Sequence, residues 1–323
     1  MRRFLIPLLV LVAVLAAACG SDDTDAAETG ETTTTAVDAG PTTSAPPEST
    51  DTIADDSVSD DGTDVDLATY TAIVSLNPTA TEMLFAIGAG DQVIAVDNFS
   101  YYPPEAPTVE DLSAFDPNIE AIADLDPDLV VVQDATIVDQ LDGLGIESLV
   151  LPAAETFDDT YAQIAELGEL TGNEDEAAAL VEQMQADIDA AVSSVEAPEG
   201  LTYYHELDNT LFSVTSNTFI GEVYGLFGLS NIADDVGDQT TYPQLTEEYV
   251  LTADPDLIFL ADTLCCEQTA ETVAERPGWG ALAAVRNGTV IELDDDVASR
   301  WGPRIVVFVE DIAEALTLVP AAA

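Results

Sequence analysis

One signal occurs twice in this chain. Asn118, Glu120 and Asp126-Pro-Asp-Leu129 precede an apolar run, and Thr246, Glu248 and Asp254-Pro-Asp-Leu257 precede another. In each copy a capping residue opens a short helical stretch, the Glu sits two positions in, and a proline ends it. A buried strand follows, over Leu129-Val-Val-Val132 in one copy and Leu257-Ile-Phe-Leu260 in the other. A second match, Glu82 with Gly88 and Glu222 with Gly228, has a different offset between the copies. Unequal offsets imply similar domains with loops of different length, not a short-period solenoid, so two lobes are expected.

The order of segments fits that expectation. Ala72–Leu76 reads as a buried strand, Asn77-Pro78-Thr79 as a turn and helix start, and Ala80–Gly88 as a helix closed by glycine. Further strands are predicted over Gln92–Val96, Leu129–Val132 and Ile146–Leu151, with helical segments between most of them. This alternation predicts an α/β fold of two Rossmann-like lobes with mostly parallel sheets. Residues 67–172 form the expected first lobe, 173–198 a connecting helix with apolar residues from Ala177 to Val192 at helical spacing, and 199–323 the second lobe. Strands are predicted there near Leu201–Tyr204, Leu211–Val214, Leu257–Leu260 and Thr289–Leu293, and a terminal helix from Arg304 to Leu316.

The first 66 residues lack core-forming capacity. Arg2 and Arg3 precede an apolar run from Phe4 to Ala18, short for a bilayer span but suited to a signal peptide. Ala16-Ala-Ala-Cys19 ends it and resembles the lipobox of bacterial lipoproteins, which implies cleavage before Cys19 and lipidation there. Residues 20–66, rich in Asp, Glu, Thr, Ser, Ala, Gly and Pro, read as a disordered acidic tether with a coil span of roughly 35–40 Å.

Charge excludes some partners. The chain has 63 acidic residues against 6 Lys plus Arg, and neither basic type occurs between Phe4 and Glu275. Nucleic acid is excluded as a partner, since phosphate backbones are bound by Lys and Arg. An anionic membrane surface would repel the protein, leaving the N-terminal lipid as its membrane contact; a screening, salty medium accommodates such a charge.

Beyond the repeat, Ile73-Val-Ser-Leu-Asn-Pro-Thr-Ala-Thr-Glu-Met-Leu-Phe-Ala-Ile-Gly-Ala-Gly90, Phe99-Ser-Tyr-Tyr-Pro-Pro104, Asn118-Ile-Glu120 with Asp126-Pro-Asp-Leu129, and Gly302-Pro-Arg304 resemble the substrate-binding lipoproteins of ABC importers for cobalamin and ferric siderophores. The similarity spans residues 70 to 318. It implies the class III periplasmic-binding-protein fold, two lobes joined by a single long helix. A ligand would lie between the lobes at the carboxyl ends of the strands. It also implies an extracytoplasmic, lipid-anchored protein, a monomer when free, whose partners are a permease dimer with its cytoplasmic ATPase. In that family an acidic residue on each lobe pairs with permease arginines, and Glu120 and Glu248 occupy those places. The competing reading is that each Glu favours a helix N-terminus through the dipole.

Loops after the strand ends offer candidate ligand contacts: Asn77, Phe99, Tyr101, Tyr102 and Phe115 in the first lobe, Tyr242, Asp262, Trp301 and Arg304 in the second. By similarity to cobalamin-binding members, Phe115 and Tyr242 match positions where aromatics clamp the ligand; for each residue core packing is the competing reading. The cleft musters only Arg300 and Arg304 as cations, which disfavours multiply anionic catecholates and favours a corrinoid or ferric hydroxamate. Haem stays open through tyrosine ligation, since the single His205 follows a predicted strand and reads as structural. One histidine also argues against a zinc or manganese site, and no resident cofactor or metal is expected. Adjacent Cys265 and Cys266 are either a vicinal disulfide or two free thiols. No Gly-x-Ser-x-Gly elbow, phosphate loop or zinc helix appears, so an exported hydrolase is not expected; a sensor or scavenger without transport would share the cleft but not require the paired glutamates.

Overall fold

The computed structural model describes residues 69–236 and 240–320. Cys19, the signal segment and the tether lie outside them. The first half contains β1 (Ile73–Ser75), α1 (Pro78–Ala86), β2 (Val93–Val96), α2 (Ile119–Asp124), β3 (Leu129–Val132), α3 (Val138–Leu144), β4 (Ser148–Val150) and α4 (Phe157–Thr171). After α5 (Glu174–Ser193) come β5 (Thr202–Glu206), α6 (Phe219–Gly225), β6 (Ser230–Asn231), α7 (Glu247–Ala253), β7 (Leu257–Leu260), α8 (Ala270–Glu275), α9 (Ala283–Asn287), β8 (Val290–Glu292), α10 (Asp295–Ser299) and α11 (Ile305–Leu318). Two four-stranded sheets result, ordered β2-β1-β3-β4 and β6-β5-β7-β8, and every pairing is parallel. The same strand order in both halves is the structural form of the duplication.

The repeated Asp-Pro-Asp aligns each sheet. Asp126 and Asp254 adopt left-handed backbone, φ 51° and 46°, ending the helix before the proline. The second aspartate of each motif then staples the neighbouring strand. Asp128 accepts from the Thr71 and Ala72 amides at 2.9 and 3.0 Å, and Asp256 from the Thr202 amide at 2.9 Å. Each carboxylate thereby sets the central strand pair, β1 with β3 and β5 with β7.

Strands β3 and β7 are buried along their whole length, as parallel strands covered on both faces must be. Their alternate residues serve different cores. Leu129 and Val131, with Leu257 and Phe259, join one continuous apolar cluster that runs through α1, α4, α5, α6 and α11. Val130 and Val132 pack with Ile122 and Leu141 on the outer face of the first sheet, and Ile258 and Leu260 with Trp279 and Val250 on that of the second. The shared inner cluster joins the two lobes, so large relative motion would expose apolar surface.

Two local expectations need correction. Leu211–Val214 is not a strand of the sheet; among its residues only Phe212 forms a bridge, antiparallel to Gln244. Leu211 has φ 71°, and Pro243 lacks the N–H that would return the bond Ser213 donates to its carbonyl. His205 lies within β5, not after it, fully buried opposite Phe259. The two-residue strand β6 carried too little apolar pattern to be read from sequence. No helix among the described residues is long and apolar enough to cross a membrane.

Candidate functional site

A cavity of about 490 Å³ opens where β1 and β3 end. Leu76, Pro78 and Thr79 form part of its wall after β1, Val132, Gln133 and Asp134 part after β3, and Phe99 and Phe115 come from the long β2–α2 connection. Ser299, Arg300 and Trp301, which follow β8 in the chain, close the side nearest the second lobe. The size is that of a small-molecule site. Phe99 and Phe115 meet edge to face, ring centroids 5.0 Å apart, with Phe115 83% exposed and Phe99 40%. Trp301 is nearly buried and donates from Nε1 to Gln163 at 3.0 Å.

The arginines at this site are already occupied. Arg300 donates through Nη1 to Glu82 Oε1 at 2.7 Å and through Nη2 to Asp296 Oδ1 at 2.8 Å and the Phe99 carbonyl at 3.1 Å. Arg304 reaches both oxygens of the same glutamate, Nε to Oε2 at 2.8 Å and Nη2 to Oε1 at 2.7 Å. Glu82 is almost fully buried on α1, so this pair of arginines clasps the first lobe to the segment before α11. Their guanidinium groups lie 5.6 Å from the Tyr101 ring and 4.1 Å from the Tyr102 ring. Tyr101 also donates to Asp296, and burial followed by that carboxylate pushes its phenol up to about 12. Two cations facing Glu82 and Asp296 leave the cleft without net positive charge. Asp134 adds a further negative charge at the wall, held below the usual carboxylate range by the Thr136 hydroxyl and amide.

The predicted ligand contacts separate into groups. Phe99, Phe115 and Trp301 line the cavity; Tyr101 and Tyr102 do not, and lie half exposed against Arg300 and Arg304. Arg304 is committed to Glu82. Asn77 is buried and caps α1, accepting from Thr79 and Ala80 amides and donating to the Leu151 carbonyl at 3.0 Å, and it does not line the cavity. Tyr242 is half exposed and does not line the cavity. Asp262 is fully buried beside Glu206, and neither of its oxygens receives a donor.

That buried pair was not foreseen. Glu206, the last residue of β5, holds Arg276 by two bonds of 2.6 and 2.5 Å, and Arg276 also donates to Gln268 and stacks 4.6 Å from the Trp279 ring. Burial, then the Glu206 carboxylate, pushes Asp262 up to about 7. Arg276 is spent on Glu206, so the neighbouring Asp262 carboxyl is left without a cation of its own and favours its protonated form up to about pH 7. The chain then turns at Cys265 and Cys266, joined by a disulfide with Cα atoms 3.8 Å apart. Asp295 anchors this turn by accepting from the Thr263 hydroxyl and the Leu264 and Cys265 amides. His205 stays neutral: burial lowers it to about 3, and Nδ1 lies 2.8 Å from the Tyr224 hydroxyl. No cluster of three or more His, Cys, Asp or Glu side chains suited to a metal ion occurs among the described residues.

Glu120 and Glu248 occupy the same place in their copies, the second residue of α2 and of α7. Both are exposed, and neither forms an ion pair among the described residues.

Two parallel-sheet lobes, a shared interlobe core and an aromatic cavity at the strand ends define a class III binding protein, built to hold a solute. The chain belongs to the periplasmic binding protein family, which it matches over residues 73–297. It is 31% identical over 255 residues to the ABC transporter substrate-binding lipoprotein YvrC of Bacillus subtilis, covering 76% of this chain and 79% of that one. It is 34% identical over 246 residues to a cobalamin-binding protein of Halobacterium salinarum, covering 72% of this chain and 66% of the relative. Among solved structures it resembles the periplasmic vitamin B12-binding protein BtuF of Vibrio cholerae, with TM-score 0.64 and 27% identity over 78% of this chain and 99% of that one.

Proposed function

We propose that this protein is the extracytoplasmic, lipid-anchored substrate-binding component of an ABC importer, and that it captures a bulky metal chelate of low negative charge, a corrinoid or a ferric hydroxamate. The observation that carries the reading is the pairing of an exposed aromatic platform, Phe99 with Phe115, with arginines already neutralised by Glu82 and Asp296. Flat or rounded chelates gain contact area on aromatic rings. A catecholate complex carries several negative charges, and the committed arginines offer it little compensation. Cobalamin recognition by the Halobacterium relative and vitamin B12 binding by BtuF support the corrinoid choice.

Delivery rests on Glu120 and Glu248, one exposed carboxylate per lobe at equivalent positions, suited to arginines on a two-fold permease. Titration with cyanocobalamin, a ferric tris-hydroxamate, a ferric tris-catecholate and haemin tests the ligand; tight binding of the catecholate alone refutes the charge argument. For docking, Glu120→Arg with Glu248→Arg should abolish uptake and leave binding intact. Unchanged uptake would remove that role for the two glutamates.

A further inference from the structure

The aromatic platform rides on the long connection between β2 and α2, with no helix or strand of its own to hold it. Phe99 is on the outgoing limb and Phe115 on the returning limb, yet their rings meet at 5.0 Å. One buried group bridges the limbs. Asp97, at 0% exposure, accepts at Oδ1 from the Ser100 hydroxyl at 2.5 Å and at Oδ2 from the Ala114 amide at 3.3 Å. Its carboxylate also faces the amides of Phe99 and Ser100. The Asp97 amide donates to the Ser75 carbonyl at 3.1 Å, fixing the residue to the end of β1. One carboxylate therefore binds residues adjacent to Phe99 on one limb and to Phe115 on the other. Asn98 donates to Leu112 across the same gap, and Ser113 Oγ accepts from the Phe115 amide at 3.2 Å.

We propose that Asp97 is the positioning residue of the ligand site: its two carboxylate oxygens set the spacing of the two loop limbs and so assemble the Phe99–Phe115 platform before ligand arrives. This rests on the proposed capture of a chelate at that platform. Preassembly matters because ordering two rings and a loop during binding would subtract from affinity. Asp97 itself is buried and does not line the cavity. Its nearest relative in role is Asp295, which anchors the disulfide turn of the second lobe in the same manner.

The test reads the platform in the free protein and binding separately. In protein with 13C-labelled phenylalanine, a ring-to-ring cross-peak between Phe99 and Phe115 reports the platform without ligand. Asp97→Ala should erase it and weaken cyanocobalamin or the ferric tris-hydroxamate by about tenfold, read as tryptophan quenching. Asp97→Asn keeps an acceptor for Ser100 while facing the Ala114 amide with a donor, and Ser100→Ala removes one limb only. Both should give intermediate losses at a thermal midpoint near that of the native protein, which a general folding defect would not. An intact cross-peak in Asp97→Ala and Asp97→Asn overturns the positioning role. A lost cross-peak with unchanged affinity overturns its use in binding. If the native protein binds neither probe, the proposed function fails instead, and the cross-peak still decides whether Asp97 holds the platform.

Discussion

Asp262→Asn should stabilise this protein, and only above a particular pH. The native side chain is fully buried, receives no donor on either oxygen, and lies against the Glu206 carboxylate, with Arg276 already engaged by Glu206 and Gln268. Asp295 on α10 adds repulsion, and the Tyr204 hydroxyl is buried beside the same carboxylates. Folding therefore raises the Asp262 carboxyl to about 7, against about 3.9 in an unfolded chain. The sign follows from proton counts: between pH 4 and 7 the folded protein holds a proton that the unfolded chain has released. The contribution is complete below the unfolded value and is lost as pH rises through about 7. The slope is at most about 1.4 kcal/mol per pH unit, or about 4 kcal/mol over the window, and relaxation around the buried pair should reduce this to about 2–4 kcal/mol. Asparagine supplies a neutral donor to Glu206 at every pH. Urea unfolding followed by tryptophan emission is well placed, since Trp279 stacks on Arg276. The variant should differ little from the native protein at about pH 3.5, below the unfolded value, and exceed it by that amount at about pH 8. A variant less stable than native protein at both, or offset equally at both, would refute the raised Asp262 carboxyl.

The remaining predictions concern the frame. Glu82→Ala leaves Arg300 and Arg304 without their principal partner and should cost about 3–5 kcal/mol, read by urea unfolding, because breaking one side of a buried pair strands the charges on the other. The same variant frees the Arg300 guanidinium at the cavity wall, so binding of the ferric tris-catecholate should improve relative to cyanocobalamin. Asp128→Ala and Asp256→Ala remove equivalent strand staples and should each cost about 1–3 kcal/mol, within a factor of two of one another; a large inequality would show that the two copies are not mechanically alike.

How much of this was legible in the sequence depended on whether the signal was local. The Asp-Pro-Asp repeat, the apolar runs after it and the glycines closing α1 and α6 are local, and they placed the main helices and the central strands of both sheets. The exposed aromatics of the β2–α2 loop were also visible, since nothing local required Phe99, Tyr101, Tyr102 and Phe115 in one connection. What escaped was partnership across the fold. Glu82 and Arg304 are far apart in sequence, and only the packing of α1 against the segment before α11 makes them a pair. A clue existed: a glutamate on the apolar face of a helix needs a cation, and the globule has only Arg276, Arg286, Arg300 and Arg304. Asp97, Glu206 and the burial of Asp262 against Glu206 were hidden for a different reason. In a chain with 63 acidic residues, one more aspartate carries no information until burial singles it out.

The duplication then has a sharper meaning than two similar lobes. Where the copies retain the same residue in the same role, the role is mechanical or faces outward: Asp128 with Asp256 in strand stapling, and Glu120 with Glu248 on exposed first turns. Where they keep the residue but change its surroundings, the cleft becomes asymmetric. Glu82 on α1 receives two arginines, whereas its counterpart Glu222 on α6 sits near Asp158 and Asp159, with burial raising its carboxyl. One interlobe seam is thus clasped by charge, and the other depends on apolar contacts such as Phe157 against Phe219. The clasped seam is also the one that carries Arg300 and Trp301 to the cavity. Fixing that side holds the wall of the site in place, so small adjustments of the lobes should occur about the Glu82 clasp and open the seam at Glu222.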